Sequence, residues 1–305
     1  MSIFCKNPVV FKHNCQEQIA EDIYAEYVVR HTADKIIPYK TVNGEALNLC
    51  CFFPKDYNPK EKYPLFVAIH GGGWNSRNIM KDQKEWSGDY LGYLLRYYAD
   101  KGFLGIIMTY GILEKGGESE KRQLIDIYED CQDAMNFIAD HAKEYGGDTD
   151  RVILLGESAG GHLAGAMATN SFYENRLTVR TAILVNPILN LLNDKWGSGC
   201  LENSSRPLLK DMCKEEMQML YSPLMQIKPD NCNVLLIHGS ADSVVDVKHS
   251  ILFNRRMAQM GLKSELHIIN GAEHAFLLRE YYKYPVHTKM AVEVIDNYLA
   301  EDFLI

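Results

Sequence analysis

Residues 152–161 read Val-Ile-Leu-Leu-Gly-Glu-Ser-Ala-Gly-Gly, and a run of small residues, His162–Ala166, follows. Four apolar residues, then G-x-S-x-G, then a helix-forming stretch describe a serine on a sharp turn between a strand and a helix. The small residues two places either side of the serine let strand and helix approach closely. The helix start points its free N–H groups toward any negative charge that develops there. The pentapeptide alone is a weak signal. In this strand-to-helix context it marks Ser158 as a candidate nucleophile, against the plainer reading of a serine helix cap.

A second segment, His70-Gly71-Gly72-Gly73-Trp74, follows the apolar run Leu65–Ile69. Consecutive glycines leave backbone N–H groups unshielded, and such donors stabilise the oxyanion of a tetrahedral intermediate. An oxyanion hole of this kind takes one donor from the residue after the nucleophile and the rest from the glycine loop. The candidates are Ala159, Gly72 and Gly73. His70 reads as a residue that fixes the loop.

A serine hydroxyl needs a base, and the base needs an orienting carboxylate. With the nucleophile first in the chain, both partners are expected downstream, after strands. Val234–His238 is followed by Gly239-Ser240-Ala241-Asp242, and Glu265–Ile269 by Asn270-Gly271-Ala272-Glu273-His274. Asp242 is the candidate carboxylate and His274 the candidate base. Asp246 competes with Asp242, but its position before Val247–Gly261 reads as a helix cap. His162, one turn into the nucleophile helix, reads as a residue that packs or bonds locally. His238, His249, His267 and His287 lack the context of a base.

Together, H-G-G-G-W, G-E-S-A-G-G-H, H-G-x-x-D and G-x-x-H resemble the hormone-sensitive-lipase-like branch of the α/β-hydrolases, in particular bacterial carboxylesterases and acetyl-xylan or feruloyl esterase-like members. The resemblance runs from about Tyr63 to Phe276. It implies an α/β-hydrolase fold and a serine carboxylesterase. The acyl-enzyme would form on Ser158, with Asp242 and His274 as triad partners and Gly72, Gly73 and Ala159 as the oxyanion hole. The implied substrate is a small-molecule ester with a short, acetyl-like acyl group, carbohydrate esters included. An amidase or arylformamidase of the kynurenine-formamidase-like kind would use the same triad, so that reading stays open beside it. A peptidase of this class usually carries a propeller domain, and a non-catalytic receptor usually lacks a triad member. The chain departs from its relatives after the strand Phe103–Thr109. It reads Tyr110-Gly111-Ile112-Leu113 and then a charged stretch, 114–122, where a Tyr-Arg-Leu segment with prolines is common, so the pocket rim differs.

The elements that must position these residues alternate along the chain. Short apolar runs at 65–69, 103–109, 152–155, 181–185, 234–238 and 265–269 are separated by helical stretches at 90–101, 122–145, 158–169, 247–261 and 288–299. This rhythm predicts a mostly parallel sheet of about eight strands with helices on both faces, and sites at the carboxyl ends of its strands. Ala46–Phe53, followed by the turn-like 56–59, predicts an early antiparallel hairpin. Gly146-Gly147 predicts a helix end. A single domain over 1–305 is expected, with an N-terminal helical extension over 1–32. An insertion at 186–230, with a short helix near 214–220, would act as a lid. Trp196, Met212, Met217, Met219 and Tyr221 in it either line an apolar pocket or pack it onto the body.

The chain has 305 residues, 47% hydrophobic and 24% charged, with a formal net charge of -8. An acidic chain without a dense basic run argues against nucleic acid and anionic lipid as partners. No apolar stretch approaches the ~20 residues that span a bilayer, and the first residues carry no secretory pattern; a cytoplasmic protein is expected if the chain is complete. The eight cysteines show no CxxC and no regular spacing, so reduced thiols are expected. No H-E-x-x-H, P-loop or G-x-G-x-x-G occurs, and the expected chemistry needs no cofactor or metal. Oligomeric state is not written in the sequence.

Overall fold

Alternate residues of the apolar runs enter two different cores. Leu65, Val67 and Ile69 belong to one buried cluster, Phe66 and Ala68 to the other. Adjacent Cys50 and Cys51 divide the same way, both free thiols. A period of two with both sides buried is the signature of a strand covered by helices on each face. A computed structural model of the chain describes residues 9–11, 33–75, 90–113, 122–169, 176–192, 215–277 and 286–303.

Among the described residues, nine strands form one sheet: β1 (Val9–Phe11), β2 (Lys35–Val42), β3 (Glu45–Phe52), β4 (Tyr63–Ile69), β5 (Leu104–Met108), β6 (Gly147–Glu157), β7 (Val179–Val185), β8 (Asn233–Gly239) and β9 (Ser264–Ile269). Their spatial order is β1-β9-β8-β7-β6-β4-β5-β3-β2. Every neighbouring pair is parallel except β2 with β3 and β3 with β5. The helices are α1 (Tyr90–Asp100), α2 (Leu124–His141), α3 (Ala159–Ala168), α4 (Glu215–Leu220), α5 (Lys248–Gln259) and α6 (Val286–Phe303). Side chains of α2, α3 and α5 pack into one core, those of α1 and α6 into the other.

The expected alternation is present, with three adjustments. The early hairpin turns at Asn43-Gly44, upstream of the expected place: both residues have positive φ, 50° and 80°, and Asn-Gly tolerates that pair where most residues do not. The helix expected over 122–145 ends at His141, and a 3₁₀ turn, Ala142–Tyr145, continues to left-handed Gly146. Val9–Phe11 adds a ninth, parallel strand beside β9; the helix expected over the rest of 1–32 lies outside the described residues. Of the insertion, 186–192 and 215–230 are described. Tyr221 is buried against Tyr128, whereas Met219 is exposed; Trp196 and Met212 lie outside the described residues.

The tightest point of the fold is where β6 hands over to α3. A Cβ on Gly156 would overlap the Gly160 carbonyl, and one on Gly160 would overlap the Ile69 carbonyl at the end of β4. Both collisions are with backbone, so no side-chain adjustment relieves them. Gly156→Ala is therefore expected to lower unfolding free energy by at least ~2 kcal/mol, read as a fall in the urea midpoint at unchanged m-value.

Candidate active site

Ser158 stands on that hand-over. Its backbone has φ 57° and ψ -119°, a sparsely populated conformation for a residue with a side chain. Its N–H donates to the Val185 carbonyl (2.9 Å) and its carbonyl accepts from the His162 N–H (2.9 Å). The turn is thereby pinned to β7 on one side and α3 on the other. The strain lifts the side chain clear of both elements.

Two loops from neighbouring strands meet it. The Ser158 hydroxyl lies 2.9 Å from His274 Nε2, and His274 Nδ1 lies 2.8 Å from Asp242 Oδ2. A carboxylate only accepts, so the ring proton sits on Nδ1, and the Nε2 lone pair faces the serine O–H. The loops are stitched together: Ala241 N–H donates to the Ala272 carbonyl (2.9 Å), Ser240 N–H to the Ile269 carbonyl (2.9 Å) and Gly271 N–H to Ser240 Oγ (2.9 Å). Asp242 Oδ1 accepts from the N–H groups of Val244 (2.9 Å) and Val245 (2.8 Å). Burial works to raise the carboxyl's pKa. Hydrogen bonding from His238, His274 and the Val245 N–H outweighs it and holds the group well below the usual carboxylate range. Asp246 instead accepts from the Lys248 N–H at the start of α5 (2.8 Å); it stands one place before the N-cap, Val247, and not at the capping position expected of it.

The glycine loop passes directly beside the serine. A Cβ on Gly71 would lie 2.8 Å from the Glu157 carbonyl oxygen and 3.5 Å from Ser158 Cβ. Gly72 and Gly73 have positive φ, 102° and 60°. Tyr110, to which the sequence assigns no role, clamps the loop: its hydroxyl donates to the carbonyls of His70 (3.0 Å) and Gly71 (3.1 Å), and its ring stacks on His70 with centroids 4.1 Å apart. His70 Nδ1 lies 2.8 Å from the Gly71 carbonyl, the bracing role expected of it. Gly111 and Arg122 share one buried acid. Buried Asp130 accepts from the Gly111 N–H (2.9 Å) and pairs with Lys40 (2.9 Å) and Arg122.

Two more histidines support the floor. His162 Nδ1 donates to the Ile188 carbonyl (2.9 Å), and Nε2 accepts from the Tyr128 hydroxyl (2.6 Å). His249 Nδ1 accepts from the N–H groups of Leu189 and Asn190, each at 3.1 Å, which ties the chain after β7 to α5. Burial pushes the His162 pKa down to about 3 and that of His249 down to about 4. Among the described residues, no group of three or more His, Cys, Asp or Glu is placed to hold a metal ion, and no helix is long and apolar enough to cross a membrane.

A mostly parallel sheet with helices on both faces and a serine on a strained strand-to-helix turn is the α/β-hydrolase fold. The apo form of Thermogutta terrifontis esterase 2 matches it with a TM-score of 0.71, at 24% identity, over 89% of this chain and 95% of that one. Residues 52–257, about two thirds of the chain, match the family model described as BD-FAE, and the chain belongs to that family. A probable isoprenylcysteine α-carbonyl methylesterase of Oryza sativa subsp. japonica is 25% identical over 70% of this chain and 51% of its own length. A probable carboxylic ester hydrolase of Mycobacterium tuberculosis is 26% identical over 85% and 59%. The chain thus spans about half to three fifths of these relatives' length. His274 lies beyond the residues matched by the family model.

The buried histidines give stability a defined pH dependence. Both are held below the ordinary value of 6.5 in the folded chain, so between those values the unfolded chain binds more protons. Their contribution is complete above pH 6.5 and is lost as pH falls toward 4 and then 3. Unfolding free energy from urea melts is expected to drop by about 1.4 kcal/mol per pH unit for each histidine between pH 6 and 4.5. His162→Gln is expected to remove one share of that slope.

Proposed function

We propose that this protein is a carboxylic ester hydrolase working by two-step acyl transfer on Ser158. The observation that carries the reading is the continuous relay from the Ser158 hydroxyl through His274 to buried Asp242, with each hydrogen bond under 3 Å. His274 Nε2 takes the hydroxyl proton as Ser158 Oγ attacks the ester carbonyl. The oxyanion forms against the N–H groups of Ala159, Gly72 and Gly73. His274 then gives its proton to the leaving alcohol, and water cleaves the acyl-enzyme by the same route. Asp242 holds the tautomer and stabilises the imidazolium. Support comes also from the family membership and from relatives whose names state ester hydrolysis.

The finer part of the proposal is a preference for short, acetyl-like acyl groups, including carbohydrate esters, and it rests on the resemblance of the motifs. The test is hydrolysis of p-nitrophenyl esters from acetyl to dodecanoyl, beside an aryl formamide. Turnover is expected to peak at the short esters and to vanish in Ser158→Ala. Asp242→Asn is expected to reduce kcat about 10⁴-fold. Turnover that persists in Ser158→Ala would overturn the reading, and turnover of the formamide alone would replace the ester with an amide.

A further inference from the structure

The carboxylate Asp242 has a neighbour that the relay does not use. His238, the last side chain but one of β8, is fully buried. Its Nε2 lies 3.0 Å from the Val245 carbonyl and 3.4 Å from Asp242 Oδ2, and its Nδ1 lies 2.8 Å from Ser250 Oγ on α5. A carbonyl only accepts, so the ring proton sits on Nε2, and the Ser250 hydroxyl donates to Nδ1. The Val245 that receives this proton is the residue whose own N–H binds Asp242 Oδ1 at 2.8 Å. His238 therefore closes a ring: it holds the carbonyl of the turn that cages Asp242, and the same N–H faces the oxygen that His274 uses.

We infer that His238 is a positioning residue for the proposed reaction, fixing the Asp242 carboxylate and drawing charge from Oδ2 so that His274 meets a tempered acceptor. The inference rests on the proposed role of Asp242. Geometry gives it two consequences that simple packing lacks. The carboxylate keeps its orientation because His238, at the end of β8, faces Oδ2 and also holds the turn whose N–H groups bind Oδ1. In addition, the N–H beside Oδ2 weakens that oxygen's pull on the His274 proton, so removing it strengthens the pull. Titratable groups reach this spot from three elements: Asp242 on the loop after β8, His274 on the loop after β9, and His249 with Asp246 on α5 and its approach.

The experiment measures kcat, KM and the pH profile of kcat/KM on a short p-nitrophenyl ester for wild type, His238→Leu, His238→Gln and Asp242→Asn. His238→Leu is expected to lose about 10- to 100-fold in kcat with KM unchanged, and its acid limb is expected to move to higher pH. His238→Gln keeps an N–H at the reach of Nε2 and is expected to recover most of kcat and return the limb. The inference is overturned if His238→Leu matches wild type, or if both variants lose kcat equally with the limb unmoved, which is a packing role. Should His238→Leu fail to fold, ¹⁵N-histidine NMR of the wild type decides: an Nε2-protonated His238 supports the inference, an Nδ1-protonated ring ends it. Full turnover by Asp242→Asn would remove the reading of the site and this inference together. An inactive Asp242→Asn beside an unaffected His238→Leu would remove this inference alone.

Discussion

The arrangement depends on one steric condition, the near-contact of Gly156 and Gly160 where β6 gives way to α3. Without side chains at either position, the strand end and the first helical turn close on each other and on the end of β4. Ser158, caught between them, takes a backbone conformation that costs on the order of 1–3 kcal/mol. The surrounding sheet over-determines that conformation: β6 is flanked by β4 and β7 at the centre of nine strands, and the serine's own N–H is bonded across to β7. Strain held by a rigid frame is what keeps the hydroxyl fixed at the carboxyl end of the central strand.

Around that point the site is built as a buried polar network in which each member has a partner of opposite role. Asp242 loses its hydration on burial and is compensated by donors on both oxygens, the condition under which a buried charge is tolerable. His274 is held by that carboxylate in the tautomer that leaves Nε2 free to accept. The pairing needs β8 and β9 to be neighbours, because only adjacent strand ends can stitch their loops with backbone hydrogen bonds over so short a distance. Tyr110 does for the glycine loop what Asp242 does for the histidine. It supplies a fixed partner so that a chain of permissive residues keeps one conformation.

The fold is shared with a solved esterase at a sequence identity near one quarter, whereas the segment after β5 departs from the pattern of its resemblance. Of its described residues, Gly111 and Arg122 share one buried carboxylate, Asp130 on α2.

Much of this was legible in the chain itself. Continuous apolar runs such as Leu65–Ile69, alternating with amphipathic ones, pointed to a helix-covered parallel sheet, because local patterning states which faces must leave water. The glycines around Ser158, and loops after two late strands carrying Asp242 and His274, named the groups that end up together. Tertiary structure alone decided the rest. Val9–Phe11 joins the far edge of the sheet, a pairing between residues some 250 apart that no local pattern encodes. His238, Tyr110 and His249 read as ordinary strand, loop and helix residues until neighbours from distant segments fill their hydrogen bonds. A residue's type and local context declare what it can donate or accept, but only packing fixes which partner stands within reach.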